Sequence, residues 1–210
     1  MTLTTETQTI HAQRLVYRSS ISFSTAEARL RSSIQPAPSS SVGSVQQGWD
    51  QDQGPGQGQL QQRRRRPPPT DRASWEARIR TLVGPHGFMY FHEFDHGAWL
   101  PLYAPPSAIV VTASGETRNL GCKRFILGNP MIAITMLEHD LDAGLCVPVE
   151  LCLVEEPEGG VRVVWYKPAS LIAGYEGVEQ ELVDAADALS GKLDVFVRWV
   201  LRDEESEGRL

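Results

Sequence analysis

Residues 126–156 read ILGNPMIAITMLEHDLDAGLCVPVELCLVEE, and they contain a strand end, a helix and a second strand. Asn129 followed by Pro130 is a helix start. The Asn side chain accepts from the first helical amides, and Pro suits a position where no N–H is needed. Ala133, Met136, Leu137 and Leu141 then recur at helical spacing until Gly144 stops the pattern. From Val147 the period drops to two, with Val147, Val149, Leu151 and Leu153 on one face of a strand. The run KRFIL at 123–127 leads into the helix as another strand.

Working outward toward the C-terminus, residues 156–160 turn the chain and 161–166 pair back as a hairpin. Residues 178–201 form a long amphipathic helix with Leu182, Ala185, Leu189, Phe196 and Val200 inward. Gly191 inside it costs about 1 kcal/mol relative to Ala. Toward the N-terminus, FMYFHEF at 88–94 alternates as a strand. Phe88, Tyr90, His92 and Phe94 share one side, and Met89, Phe91 and Glu93 the other. Asp95 caps a short turn carrying Trp99, Leu100 and Leu102, and 108–111 is a candidate short strand. Ser74 is read as the cap of a further helix, with Trp75, Ile79 and Leu82 or Val83 as its stripe, and Gly84-Pro85-His86-Gly87 breaks it. Earlier still, 11–19 is a strand. Ser24 and Glu27 have capping-box spacing, and Ala26, Leu30 and Ile34 follow at helical spacing up to Pro36.

Residues 35–73 are different material. Of these 39 residues, 24 are Gln, Pro, Gly or Ser, so too little apolar surface is present to offset an ordering entropy of about 1–2 kcal/mol per residue. The expectation is a disordered insert that interrupts one domain. Its organisation is then a tail at 1–9, a first strand and helix at 10–34, the insert at 35–73, the rest of the domain at 74–202 and an acidic tail at 203–210. Helices set apart from a mostly antiparallel sheet make this an α+β, two-layer domain.

The net charge is −6, and removing the insert's five Arg and three Asp leaves the remainder at −8. Phosphate neutralisation needs clustered Lys and Arg, so no nucleic-acid partner is expected. The absence of a run of about 18 apolar residues gives the expectation of no membrane association. Cys122, Cys146 and Cys152 are odd in number and lack CxxC spacing. A reducing, intracellular and cytoplasmic location is therefore expected, each Cys serving as a small buried hydrophobe. The run Arg63, Arg64, Arg65, Arg66 is read as a solvated charge run, with a nuclear-import role as the functional alternative.

Chemistry-bearing residues are few. His92 and His96 are four apart, but on a strand that spans about 13 Å, too far to share one ion, so no metal is expected. No nucleotide loop, nucleophile elbow or cofactor motif occurs, so no cofactor is expected either. His139 is read on the solvated side of the Asn129 helix. Glu150 faces away from Val149 and Leu151. It is either a buried carboxylate with a raised pKa, or a group that faces solvent beside Cys152 or pairs with Arg162 or Lys167 across the hairpin, the latter readings being favoured. Asn129 and Pro130 open a helix whose first amides suit an anion, although capping alone accounts for Asn129.

The string at 126–156 resembles the domain-of-unknown-function 302 family, through Asn129, Pro130, Ala133, Leu137, Gly144 and Pro148. Residues 88–91, the Asp95-His96-Gly97 turn, Pro168-Ala169-Ser170 and 11–34 are similar to other parts of that family. The resemblance implies a curved antiparallel sheet backed by helices, an architecture similar to the TATA-binding protein, and often a homodimer. Many bacterial members carry Cys where this chain has Gly128 and Val149, so no role of that pair transfers. The functional expectation is a non-enzymatic module for a small-molecule ligand or a protein partner. The alternative is an enzyme using Glu150 with His92 or His139 as acid and base in one cleft.

Overall fold

The computed structural model describes residues 3–34, 69–103, 106–111 and 115–203. Most of the expected insert, with Pro36, Arg63 and Arg66, lies outside the described residues, as does the tail from 204.

The expected elements form, with several boundaries moved. Strand β1 is Arg14–Ser19 and helix α1 is Phe23–Ile34. The cap of α1 is Ser22, not Ser24: the Thr25 amide donates to Ser22 Oγ at 3.1 Å. Glu27 turns instead to the sheet. Helix α2, Arg72–Arg80, begins two residues before the expected cap, Ser74. Asp71 is its cap, accepting from the Ser74 amide, and Ser74 completes a capping box from the third helical position. Ile79 and Leu82 are buried as expected, whereas Trp75 is exposed.

Strand β2 is Met89–Asp95, and a 3₁₀ turn follows at Leu100–Tyr103. The candidate strand at 108–111 forms as β3, Ile109–Val111, and pairs with β4, Thr117–Asn119, which the sequence did not indicate. Strand β5, Cys122–Gly128, runs into α3, Pro130–Leu137. Helix α3 ends earlier than its apolar pattern suggests. His139 therefore lies beyond it, Asp140 caps the 3₁₀ turn Leu141–Leu145, and Leu141 is exposed. Strands β6, Val149–Glu155, and β7, Val161–Tyr166, make the expected hairpin. A short α4, Pro168–Ile172, leads to α5, Gln180–Leu201.

Five strands form one antiparallel sheet in the order β1-β7-β6-β5-β2. Its inner face carries Leu15 and Tyr17 from β1, Phe125 and Leu127 from β5, Leu151 and Leu153 from β6, and Val163 and Trp165 from β7. These pack with Ala26, Leu30 and Ile34 of α1 and with Leu182, Leu189, Leu193, Phe196 and Val200 of α5. Each large side chain buried in this way contributes about 1.5–3 kcal/mol. A second small cluster joins Ile79 and Leu82 to Met89, with Phe91 and Met131 against them.

Strand β2 departs from simple alternation. Tyr90 pairs with Leu127 and His92 with Ile126, so Phe91 is an extra residue at a bulge. The bulge resets the phase: Tyr90 faces inward, while His92 and Phe94 face outward, contrary to the single face expected for all three. Glu93 swings to the inner face, where Arg31 Nη2 donates to it at 2.8 Å. Lys123 reaches Glu27 at 2.7 Å and Asp95 at 3.4 Å in the same cluster.

Candidate functional site

The outer face of the sheet is where the chemistry-bearing side chains meet. The strand registers set them in transverse rows. One row runs Phe94, Arg124, Cys152, Val164, Val16, and its neighbour contains His92, Ile126 and Glu150. A third runs Cys122, Val154, Arg162, Arg18. The principal helices α1 and α5 pack on the opposite face, so this surface is left with mixed charge, apolar groups and thiols.

Arg124 organises the middle of the face. Its Nε donates to Glu150 Oε2 at 2.7 Å, its Nη2 meets the other carboxylate oxygen, and its guanidinium lies 5.6 Å from the centre of the Phe94 ring. The two-point contact with the carboxylate fixes the guanidinium where it lies over the Phe94 ring. Glu150 is thus not buried: its side chain is 52% exposed, and its partner is Arg124 of β5 rather than Arg162 or Lys167. Arg162 pairs with Glu156 at 2.6 Å, and Lys167 with Asp187 at 3.1 Å.

An aromatic row runs outward from the Arg124–Phe94 contact. His92 meets Phe94 edge-on at 4.7 Å, Phe94 stacks toward His96 at 6.2 Å, His96 meets Trp99 at 5.7 Å, and Trp99 meets Tyr103 at 6.1 Å. Phe94 is 40%, Trp99 46% and Tyr103 79% exposed. Local sequence builds the bend in this row: Asp95 Oδ1 accepts from the Ala98 amide at 3.1 Å, the capping expected of it, and turns the chain from β2 into the 3₁₀ segment.

The two thiols Cys122 and Cys152 form a second feature. They stand diagonally across the β5–β6 ladder on the same face, close enough for the electrostatics of each thiol to depend on the other. The interaction with the Cys122 thiol lowers the Cys152 pKa to about 7 against the opposing effect of burial, with the positive charges of Arg162 and Arg124 assisting. The same interaction, then burial, then the Cys152 charge push Cys122 upward. Burial pushes Cys146 up as well.

The sequence-derived candidates divide between these places. His92 and Glu150 do share the outer face, yet Ile126 stands between them, so their backbones are two strand spacings apart, about 10 Å. His139 is not joined to either; its Nε2 lies 4.0 Å from the carboxylate of the adjacent Glu138. Asn129 uses both ends of its amide structurally: Oδ1 accepts from the Met131 amide at 2.9 Å, and Nδ2 donates to Gly87 O at 3.0 Å. Pro130 occupies the first helical position beside it. Among the described residues, no group of three or more His, Cys, Asp or Glu is placed to hold a metal ion. Arg124 and the Cys pair escaped the sequence reading because they depend on register. Each shows period-two phase in its own strand, but which residue of β5 meets which residue of β6 is not written in either strand.

Residues 67–196 match the family model described as "Domain of unknown function DUF302". The chain belongs to the DUF302 family. A crystal structure of an uncharacterized conserved DUF302 protein from Bacillus stearothermophilus is similar in fold, with a TM-score of 0.50 and 14% identity. That likeness covers 90% of this chain and 98% of the other. No curated protein matches the sequence. In this DUF302 chain β1 and α1 precede the matched residues, yet they complete the sheet edge and the core of the same domain. No helix among the described residues is long and apolar enough to cross a membrane.

Proposed function

We propose that this DUF302 chain is a non-enzymatic binding module whose outer sheet face holds a small planar ligand along the β2–β5 edge. The observation that carries this reading is the exposed aromatic row from His92 to Tyr103, with the Arg124 guanidinium over Phe94 at its base. Exposed rings in a continuous row favour a flat occupant, because stacking covers them and the guanidinium adds attraction for a π-surface or an acceptor. An acid–base enzyme built on Glu150 and His92 has less support, since Arg124 holds both carboxylate oxygens and Ile126 separates the pair.

A homodimer is part of the same proposal. The exposed apolar side chains Ile134, Leu141 and Leu145 support it: Leu141 is 81% and Leu145 92% exposed, apolar surface that a second copy would cover. An intracellular location rests on the odd cysteine count, and a nuclear address on the run from Arg63 to Arg66.

Native mass spectrometry of the full-length protein tests the reading. A dimer that retains a flat heteroaromatic compound, and loses it in Trp99→Ala, is the expected result. A strict monomer that binds none of a panel of such compounds sinks the proposal.

A further inference from the structure

The outer face also carries an arrangement that a binding surface does not require. Cys122 and Cys152 sit on the two adjacent strands β5 and β6, at diagonal positions of the ladder and on the same side of the sheet. Both are partly exposed. Arg124 stands directly opposite Cys152 in the ladder. Arg162 is opposite Val154, two residues further along the same strand and on the same side. Two guanidinium groups thus flank one sulfur, each also held by a carboxylate, Arg124 by Glu150 and Arg162 by Glu156. The arrangement is unequal: one thiol is set up to lose its proton and the other to keep it. Cys146 lies elsewhere, at the end of the Leu141–Leu145 turn, and serves as an internal control.

We propose that Cys152 and Cys122 form a peroxide-reactive thiol site, with Cys152 as the nucleophile and Cys122 as the resolving thiol. The substrate class is a hydroperoxide, of which hydrogen peroxide is the simplest. The Cys152 thiolate attacks one peroxide oxygen: an S–O bond forms, the O–O bond breaks, and the departing hydroxide takes a proton to become water. The sulfur is oxidised to the sulfenic acid and the peroxide is reduced. The Cys122 sulfur then attacks the sulfenic sulfur: an S–S bond forms, the S–O bond breaks, and the leaving hydroxide departs as water with the Cys122 proton. Two thiols and one hydrogen peroxide give one disulfide and two waters.

The thiolate that starts this sequence is present at neutral pH, because the Cys122 thiol, Arg162 and Arg124 hold Cys152 at about 7. Diagonal positions on an antiparallel ladder have Cα atoms about 7–8 Å apart, just beyond the roughly 7 Å that a disulfide bridges without backbone movement. Closing the bond therefore draws the two strands together, and such a disulfide is readily reopened by a small thiol reductant. None of this depends on the proposed ligand or on dimerisation. The thiol pair reacts whether or not the aromatic row is occupied.

The test uses reduced full-length protein and hydrogen peroxide, read by thiol titration and peptide mapping. The expected result is loss of two of the three thiols, a Cys122–Cys152 linkage and its reversal by dithiothreitol. The initial rate should rise with pH around a midpoint near 7. In Cys122→Ser, dimedone should trap a sulfenic acid on Cys152; in Cys152→Ser, the oxidation rate should fall at least tenfold. Retention of all three thiols overturns the proposal, as does oxidation of Cys146 as fast as Cys152. A rate midpoint at the ordinary thiol value of about 8.5 overturns the assignment of Cys152 as nucleophile. The mapping on unmodified protein decides the matter even where a serine variant folds poorly.

Discussion

Gly84 shows how much a single residue can carry in this fold. A Cβ built there would lie 1.8 Å from the carbonyl oxygen of Ser33, at the end of α1. The turn after α2 is thereby pressed against the end of α1, and the Gly84 amide closes the turn onto Phe88 O at 2.8 Å. Backbone cannot yield as a flexible side chain does, so Gly84→Ala should destabilise the protein by at least about 1–3 kcal/mol, the scale of overpacking. Chemical denaturation measures it, and an unchanged midpoint would mean that the two segments do not meet this closely. Gly84 was legible in the sequence only as a helix breaker. Its second role depends on a residue 51 positions away along the chain, and only the folded molecule brings the two together. Asn129 is the opposite case. Its role as a cap comes from residues next to it and was readable in full, whereas its Nδ2 bond to Gly87 O, 42 positions away, was not.

Among the elements, β2 decides which side chains reach the outer face. The extra residue Phe91 turns Glu93 inward to Arg31 and turns His92 and Phe94 outward to the Arg124–Glu150 pair. A charged hydrogen-bonded pair of this kind, each side chain about a quarter exposed, contributes about 1.5–3 kcal/mol. A double-mutant cycle with Arg31→Ala and Glu93→Ala should return a coupling energy of that order, and additive losses would place Glu93 on the other face. The apolar alternation of FMYFHEF was plain in the sequence, but the bulge was not, because a bulge is set by what the partner strand offers. The same reason hid the true end of α3. Leu141 kept the helical period, while Asp140 offered its side chain to the Asp142 amide and started a separate turn. Strand and helix identities thus followed from local pattern, while faces, registers and the pairing of Cys122 with Cys152 followed from contacts between elements.

For the whole molecule, acidification tests whether the helical layer and the sheet are held together as described. His86 leaves the turn after α2 and packs on α5, with its ring 4.3 Å from Trp199 and 5.2 Å from Phe196. Burial lowers its pKa below the ordinary 6.5, and the charge of Arg202, which lies over Trp199, adds to this. The unfolded chain therefore binds the proton more readily. The stability from neutral His86 is fully present above about pH 6.5 and is lost as pH falls from there toward the folded value. Glu27 acts lower down. Burial alone would raise its carboxyl, but hydrogen bonds from Lys123 and Arg31 outweigh that and hold it below the ordinary 4.5. Its contribution is present above 4.5 and is lost as pH falls through the folded value. Stability should thus decline in two stages on acidification, both below the range near 7 in which Cys152 titrates. In His86→Gln the first stage should flatten while the second persists, whatever the variant's midpoint at neutral pH, because the comparison is of slopes and not of absolute stability. Thermal melts at intervals from about pH 8 to about pH 4 give both slopes. A first-stage slope equal in the two proteins would mean that His86 titrates as it does in the unfolded chain, and that the contact of the α2–β2 turn with α5 is not formed in solution.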